Sequence, residues 1–233
     1  MRWALRRELD GRSGEQEAMH RHRIPLGLLM LEQGWITRRQ LRDALDAQKA
    51  SGSGRIGDWL IEQHATSETT VTRALALQWS CPVLSVESHG SAALTSVMPR
   101  LFLDAFGAMP LRIAAGRLLY LGFEQSLDPV LAFAIGRMTG LQVESGVLCS
   151  SLFHQGLGRL LTEPFPAVQL AEAVSESAAA HLLARSIERL HPAHSRLVRV
   201  HDCIWLRMWL AREADPVPPH SAVYDVVCTI GGF

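Results

Sequence analysis

Hydrophobic residues recur with helical spacing between Pro25 and Gln78, and the pattern of this stretch occurs twice. An offset of 30 positions, which takes Pro25 onto Arg55, brings the two halves into register. In each half the aliphatic positions predict a short helix followed by a longer one. A match at fixed offset indicates two copies of one supersecondary unit. The stretch therefore predicts a bundle of four short helices around an aliphatic core.

The two copies also share their helix-start signals. Thr37 and Ser67 precede the longer helices as candidate N-caps, and Gln40 completes a capping box with Thr37. Gly34 ends the short helix of the first copy, where the second copy has His64. The other matched positions are Leu26-Gly27 with Ile56-Gly57, Met30-Leu31 with Leu60-Ile61, Leu41 with Val71, Leu45 with Leu75, and Gln48 with Gln78.

After the repeat, helical and extended patterns follow each other, which predicts an α+β fold. The predicted order is the four-helix bundle, a small sheet with packed helices, and a C-terminal helix with a β-hairpin. Helices are predicted over residues 95–106, 127–139, 150–161 and 170–190, and strands over 83–86, 109–113, 117–123, 141–148, two within 196–210, and 223–230. The predicted divisions are a flexible tail (1–22), the helical repeat (23–80), an α+β subdomain (81–162) and a C-terminal region (163–233).

The composition of the 233-residue chain is that of a globular protein, with 48% hydrophobic and 20% charged residues. A formal net charge of +0 gives no field that favours nucleic acid or an anionic membrane. No apolar run reaches the roughly 20 residues that span a bilayer. Four scattered cysteines without a CxxC motif are typical of reduced thiols in a cytoplasmic protein.

The phosphate-binding loop of ATPases and the nucleophile elbow of hydrolases are absent, so a non-enzyme without cofactor or metal is expected. Lys49 is the only lysine, and it does not follow a glycine as the phosphate-binding loop of an ATPase requires. No GxSxG nucleophile elbow occurs. His191, His194 and the His201-Asp202-Cys203 segment have no common zinc-site spacing, so they are interpreted as helix-end and turn residues.

The repeat starts with Pro25-Leu26-Gly27 and Arg55-Ile56-Gly57 and closes with Gln48 and Gln78. It resembles the tandem motif of the MshE N-terminal (MshEN) domain of GspE-type secretion and pilus assembly ATPases, in which each copy starts with Arg-Leu-Gly. The resemblance covers the chain to about residue 161 and implies the domain without its ATPase motor. It implies a cytoplasmic regulatory module that binds cyclic di-GMP and serves a type II secretion or type IV pilus system. The implied ligand-binding residues are Arg23, Leu26, Gly27, Gln48, Arg55, Ile56, Gly57 and Gln78.

The chemistry of this ligand suits a duplicated unit. Cyclic di-GMP is a two-fold symmetric dianion, so each copy can offer the same surface to one half. Helix starts with an adjacent Gly expose N–H groups to phosphate, and Arg stacks on guanine or pairs with phosphate. Pro25 stands where the family has Arg, and Arg23 is the candidate substitute. The implied partners are a secretion or pilus component or an ATPase. The alternative is a protein–protein adaptor of the same fold that binds no nucleotide.

Overall fold

The structure is a computed structural model that describes residues 23–86, 92–212 and 215–231. The predicted tail, residues 1–22, lies outside these ranges. The chain divides into two compact units. The first contains the described residues up to Ser85 with Phe123–Leu127 and Gly146–Leu152, and the second contains the other described residues.

The first unit contains the four helices that the repeat predicts. They are α1 (Leu26–Glu32), α2 (Arg38–Ser51), α3 (Ile56–Glu62) and α4 (Glu68–Trp79). Thr37 forms the predicted capping box with Gln40, and the Ser67 hydroxyl accepts the N–H of Thr70. The buried core draws on both copies and consists of Met30, Ile36, Leu41, Ala44, Leu60, Val71 and Ala74.

Two buried glycines show that the copies are equivalent. A methyl group on Gly27 would lie 2.5 Å from Leu41 in its own copy and 3.7 Å from Ile56 in the other. A methyl group on Gly57 would lie 2.9 Å from Val71 and 3.6 Å from Leu26. Each glycine thus allows a long helix of its own copy and a short helix of the other copy to pack closely against it. This reciprocal exchange is what a local two-fold axis requires.

The turn between the helices of each copy repeats in the same way. Gly34 has φ +69°, and His64, at the equivalent position, has φ +55°. In both turns the next residue donates its N–H to the short helix, Trp35 to Met30 and Ala65 to Leu60, each over 2.9 Å. The backbone of the turn is therefore retained although one copy has lost the glycine.

The chain then forms the first of two small sheets, in which three strands lie in the order β1-β2-β3. The strands are β1 (Ala108–Ala114), β2 (Leu118–Phe123) and β3 (Gln142–Val147). The helices in this part of the chain are α5 (Arg100–Phe106), α6 (Pro129–Thr139) and α7 (Ser150–Leu160), and Ala92–Ser96 is a 3₁₀ turn. Asp128 is the N-cap of α6, and Gly140 is its left-handed C-cap. The predicted hairpin between β1 and β2 is confirmed.

The C-terminal region forms a four-stranded sheet in the order β4-β7-β6-β5. Its elements are β4 (Ala167–Ala173), α8 (Glu176–Leu190), β5 (His194–Val200), β6 (Cys203–Trp209) and β7 (Val223–Ile230), with a 3₁₀ turn at His220–Ala222. β4 pairs parallel with β7, whereas β6 is antiparallel to both its neighbours. The predicted hairpin with His201-Asp202 at its turn is confirmed, and so is the α+β class of the chain.

A fully buried ion pair lies in this sheet. Arg207 Nη2 lies 2.8 Å from Asp225 Oδ2, and both side chains are 0% exposed. The indole N–H of Trp205 also donates to Asp225, over 2.9 Å. Arg207 donates further to the carbonyl oxygen of Ser96, far away in sequence. The pair therefore has hydrogen-bond partners on both ions, as buried charges require.

Three predicted elements are wrong. Residues 83–86 form one bridge, between Val83 and Val147, instead of a strand, because further parallel pairing would run past the end of β3. Residues 95–106 are not one helix, since Pro99 breaks it and serves as the N-cap of α5. Residues 170–190 divide into β4 and α8. The first part is extended because it pairs with β7, more than 50 residues later, and pairing overrides its alanine-rich composition.

No described helix is long and apolar enough to cross a membrane.

Candidate functional site

The two glutamines of the motif occupy equivalent places. Gln48 Nε2 donates to the carbonyl oxygen of Gly54 over 2.8 Å, and Gln78 Nε2 donates to that of Ile24 over 2.7 Å. Positions 24 and 54 differ by the repeat offset, and each lies just before a short helix. Each glutamine thus holds the backbone before the short helix of the opposite copy. The two helix starts are therefore anchored by equivalent hydrogen bonds, although Gly54 has φ +86° and Ile24 does not have a positive φ.

Arg55 stands at the N-cap of α3 and is held by two carboxylates. Its Nε donates to Asp58 Oδ2 over 2.7 Å, and its Nη2 lies 3.8 Å from Glu124 Oε1. The Arg55 side chain is 45% exposed, whereas Glu124 is 11% exposed and accepts a hydrogen bond from Ser150 Oγ over 2.5 Å. The guanidinium is therefore oriented and accessible, and an anionic ligand would compete with these carboxylates for it.

The first copy has a different arrangement. Pro25, the N-cap of α1, is the equivalent of Arg55 and has no charged group. Arg23 is directed to the last turn of α4, where Nη1 donates to the carbonyl oxygen of Gln78 over 3.2 Å. Its Cζ lies 3.5 Å from the centroid of the Trp79 ring, in a cation–π contact. The structure therefore brings Arg23 to Gln78 and Trp79.

The four remaining motif residues form the first turns of the two short helices. Gly27 and Gly57 are buried, and Leu26 and Ile56 are half-buried against the shared core. Their packing role is evident from the close approaches described above. Their predicted contact with a ligand stays a prediction, as do those of Arg23, Gln48, Arg55 and Gln78.

Two residues beside the predicted site were not found from the sequence. Asp58 lies inside the second copy, three residues after Arg55. Residues at this spacing are neighbours on a helix, so the sequence could have indicated their ion pair. Glu124 lies about 70 residues away in sequence. Its approach to Arg55 depends on how the segment Phe123–Leu127 joins the first unit, and no local pattern indicates that.

Histidine, cysteine and carboxylate side chains are spread over the part of the chain that the structure describes. No group of three or more His, Cys, Asp or Glu residues there could hold a metal ion. Burial raises the pKa of the Cys81 thiol, although the Val147 N–H and the charge of Arg23 partly oppose this. Burial also raises the pKa of Cys228. Both thiols are therefore protonated and weakly nucleophilic at neutral pH.

Comparison with solved structures finds proteins of the class that the tandem motif resembles. A structure of MshE with cdg is 27% identical, covers 59% of this chain and 99% of that one, and has a TM-score of 0.45. Two structures of the N-terminal domain of XpsE have identities of 19% and 20% and TM-scores of 0.40 and 0.32. They cover 57% and 63% of this chain and 92% and 96% of their own.

No protein-family model matches the sequence, and no curated protein matches it either. The chain is thus similar to MshE and to the N-terminal domain of XpsE, and the predicted resemblance is confirmed at that level.

Proposed function

We propose that the duplicated helical unit is a non-catalytic, cytoplasmic regulatory module that binds cyclic di-GMP and acts on a type II secretion or type IV pilus system. The crossed hydrogen bonds of Gln48 and Gln78 carry this proposal, because each anchors the backbone carbonyl two residues before a short helix of the other copy. The motif itself and the similarity to MshE, whose structure was solved with cyclic di-GMP, support the choice of ligand.

The two-fold symmetry of the ligand fits the local two-fold relation of the copies. Each half of a cyclic dinucleotide meets a segment that a glutamine of the other copy anchors, one before α1 and one before α3. The half at α3 has a half-exposed guanidinium, Arg55, that can pair with a phosphate or stack on a guanine. The half at α1 meets Pro25 instead. The site is therefore symmetric in its glutamine hydrogen bonds and asymmetric in its charge.

This asymmetry limits the affinity that we expect. A charge-assisted hydrogen bond contributes about 1.5–3 kcal/mol. The first copy lacks that contact, which corresponds to about one to two decades in Kd. We therefore expect a micromolar or weaker Kd for cyclic di-GMP.

Isothermal titration calorimetry of cyclic di-GMP into the full chain tests the proposal. We expect binding in the wild type and a loss of at least tenfold in Arg55→Ala, because the variant removes the accessible guanidinium. Arg39→Ala is the matched control, since Arg39 is 92% exposed on α2 and its loss changes the net charge equally. Equal binding by wild type and Arg55→Ala would show that Arg55 is not part of the binding site.

A gain-of-function variant tests the proposed asymmetry. Pro25→Arg returns a guanidinium to the first copy at position 25, which is the N-cap of α1 as Arg55 is the N-cap of α3. We expect Pro25→Arg to bind cyclic di-GMP about tenfold more tightly than the wild type. Pro25→Gln, which has no charge, should show no such gain. If neither the wild type nor Pro25→Arg binds, the adaptor alternative replaces the nucleotide-binding proposal, with a secretion or pilus component or an ATPase as partner.

A further inference from the structure

A groove of ≈ 610 Å³ on the first unit is lined by none of the residues proposed for nucleotide binding, although it borders Gln78. Its lining includes Gln33 and Trp35 of the first copy, and Arg73 and Leu77 of α4. The extended segment after α4 closes it with Cys81, Pro82 and Val83. Leu77 is 53% exposed and Val83 is 47% exposed. The groove thus combines exposed apolar side chains with one arginine.

The groove occurs where the two copies differ. Trp35 corresponds to Ala65, Arg73 corresponds to Asp43, and Leu77 corresponds to Ala47. The shared helical fold does not require the tryptophan, the arginine or the leucine, because the other copy folds without them. In the structure, the Arg73 guanidinium carbon lies 5.4 Å from the centroid of the Trp35 ring. The residues that differ between the copies therefore lie together on one surface.

The extended segment gives this surface an open backbone edge at Val83. Val147 donates its N–H to the Pro82 carbonyl oxygen over 3.0 Å and accepts the Leu84 N–H over 2.8 Å. In this parallel pattern the N–H and C=O of Val83, between them, point away from Val147. Among the residues that the structure describes, neither group of Val83 has a hydrogen-bond partner. One edge of the segment is thus fixed and the other is open.

A close contact holds the segment in place. A methyl group on Gly146 would lie 2.6 Å from the Pro82 carbonyl oxygen and 2.7 Å from Leu84 Cγ. Only glycine allows the segment to lie so close to its neighbour. The open edge at Val83 is therefore presented by a backbone that is packed on its other side.

Charge determines which peptide the groove would take. Arg73 is exposed, and no carboxylate among the described residues forms a salt bridge with it. A partner with an acidic side chain would supply the missing counter-charge, and its apolar side chains would cover Leu77 and Trp35. A basic partner would bring like charges together.

We propose that this groove binds an extended segment of a partner protein that alternates apolar and acidic residues. The segment adds to the Val83 edge as a strand, places an apolar side chain against Trp35 and Leu77, and pairs a carboxylate with Arg73. Strand addition uses backbone hydrogen bonds for affinity and side-chain pockets for specificity. The proposal does not depend on cyclic di-GMP.

The test uses NMR titration of the ¹⁵N-labelled full chain with two capped hexapeptides, one of alternating valine and glutamate and one of alternating valine and lysine. We expect the glutamate peptide to bind saturably, to shift the Val83 amide and Trp35 indole signals, and to bind at least tenfold more tightly than the lysine peptide. Absence of binding by the glutamate peptide up to millimolar concentration, or equal binding of both peptides, would overturn the proposal.

Two variants separate the charge from the backbone contribution. Arg73→Glu should reverse the preference, so that the lysine peptide binds more tightly than the glutamate peptide. Val83→Pro removes the outward N–H but leaves the bonds of Pro82 and Leu84 intact, and we expect at least a tenfold loss of binding. Val83→Thr keeps the N–H and the branched shape and should bind within threefold of the wild type. Circular dichroism checks that each variant is folded, and an unchanged peptide preference in folded Arg73→Glu would contradict the proposal.

Discussion

Arg55 is both positioned and masked by its neighbours. Asp58 orients the guanidinium through a hydrogen bond of 2.7 Å, and Glu124 lies at 3.8 Å on another nitrogen. A ligand phosphate must displace at least part of the contacts that Asp58 and Glu124 make with the guanidinium. The measured affinity for an anionic ligand will therefore report the difference between two sets of contacts, and a variant that weakens the masking should raise it.

Glu124→Gln tests this competition. The amide keeps an acceptor for Ser150 Oγ but removes the charge that faces Arg55. A partly exposed ion pair contributes about 0.2–1 kcal/mol, so we expect cyclic di-GMP to bind about 1.5- to 5-fold more tightly in calorimetry. Glu32→Gln is the control, because it removes the same charge from the exposed end of α1. Weaker binding in Glu124→Gln would mean that Glu124 helps the site and does not compete with the ligand.

At the scale of elements, the two copies allow the same turn to be compared with glycine and with histidine at its left-handed position. The two copies use the same turn, yet one has Gly34 and the other His64, both with positive φ. A residue with a Cβ in this conformation costs roughly 1–2 kcal/mol more than glycine. No atom lies within 4 Å of a methyl group on Gly34, so crowding does not add to that cost.

Exchanging these residues should move the free energy of unfolding in opposite directions. Gly34→Ala is expected to lower it by about 1–2 kcal/mol because of the left-handed backbone. His64→Gly is expected to raise it by up to about 1 kcal/mol, since part of the gain is offset by the extra freedom of glycine in the unfolded chain. Urea unfolding followed by circular dichroism measures both. Stabilisation by Gly34→Ala would show that the turn does not have this conformation.

The elements that the sequence predicted correctly are those with local signals. The four helices of the repeat have a helical stripe, and the two longer ones also have capping residues. The strand over Val223–Ile230 is a β-branched run. Two of the three wrong elements depended on distant partners, whereas the helix predicted over residues 95–106 is broken locally by Pro99. Residues 167–173 have the composition of a helix and become β4 only through pairing with β7, and Val83 has a partner only where β3 ends.

At the scale of the whole molecule, burial decides what an ion pair contributes. Arg207–Asp225 and Arg199–Glu176 both have N–O distances of 2.8 Å. The side chains of the first pair are 0% exposed, and those of the second are 59% and 70% exposed. Removing one partner of the buried pair leaves an ion without compensation or water, whereas the exposed pair is solvated in either case.

Matched neutralisations of the two pairs test this difference. Asp225→Asn is expected to lower the free energy of unfolding by about 3–5 kcal/mol, because Arg207 stays charged and buried. Glu176→Gln at the exposed pair should cost less than about 1 kcal/mol. Thermal or urea unfolding measures both. In the double variant Arg207→Met with Asp225→Asn, the cost should be below the sum of the single variants, and strict additivity would contradict the coupling.

The sequence by itself determined the duplication, the four helices of the first unit, the α+β class and the resemblance to MshE-type domains. These follow from periodicity, capping residues and a fixed offset, which are local or self-repeating signals. Only the tertiary structure decided that Gln48 and Gln78 cross between the copies, that Glu124 faces Arg55, and that Trp35, Arg73 and Val83 line one groove. Such contacts join residues that are distant in sequence, and their geometry depends on the packing of the whole unit.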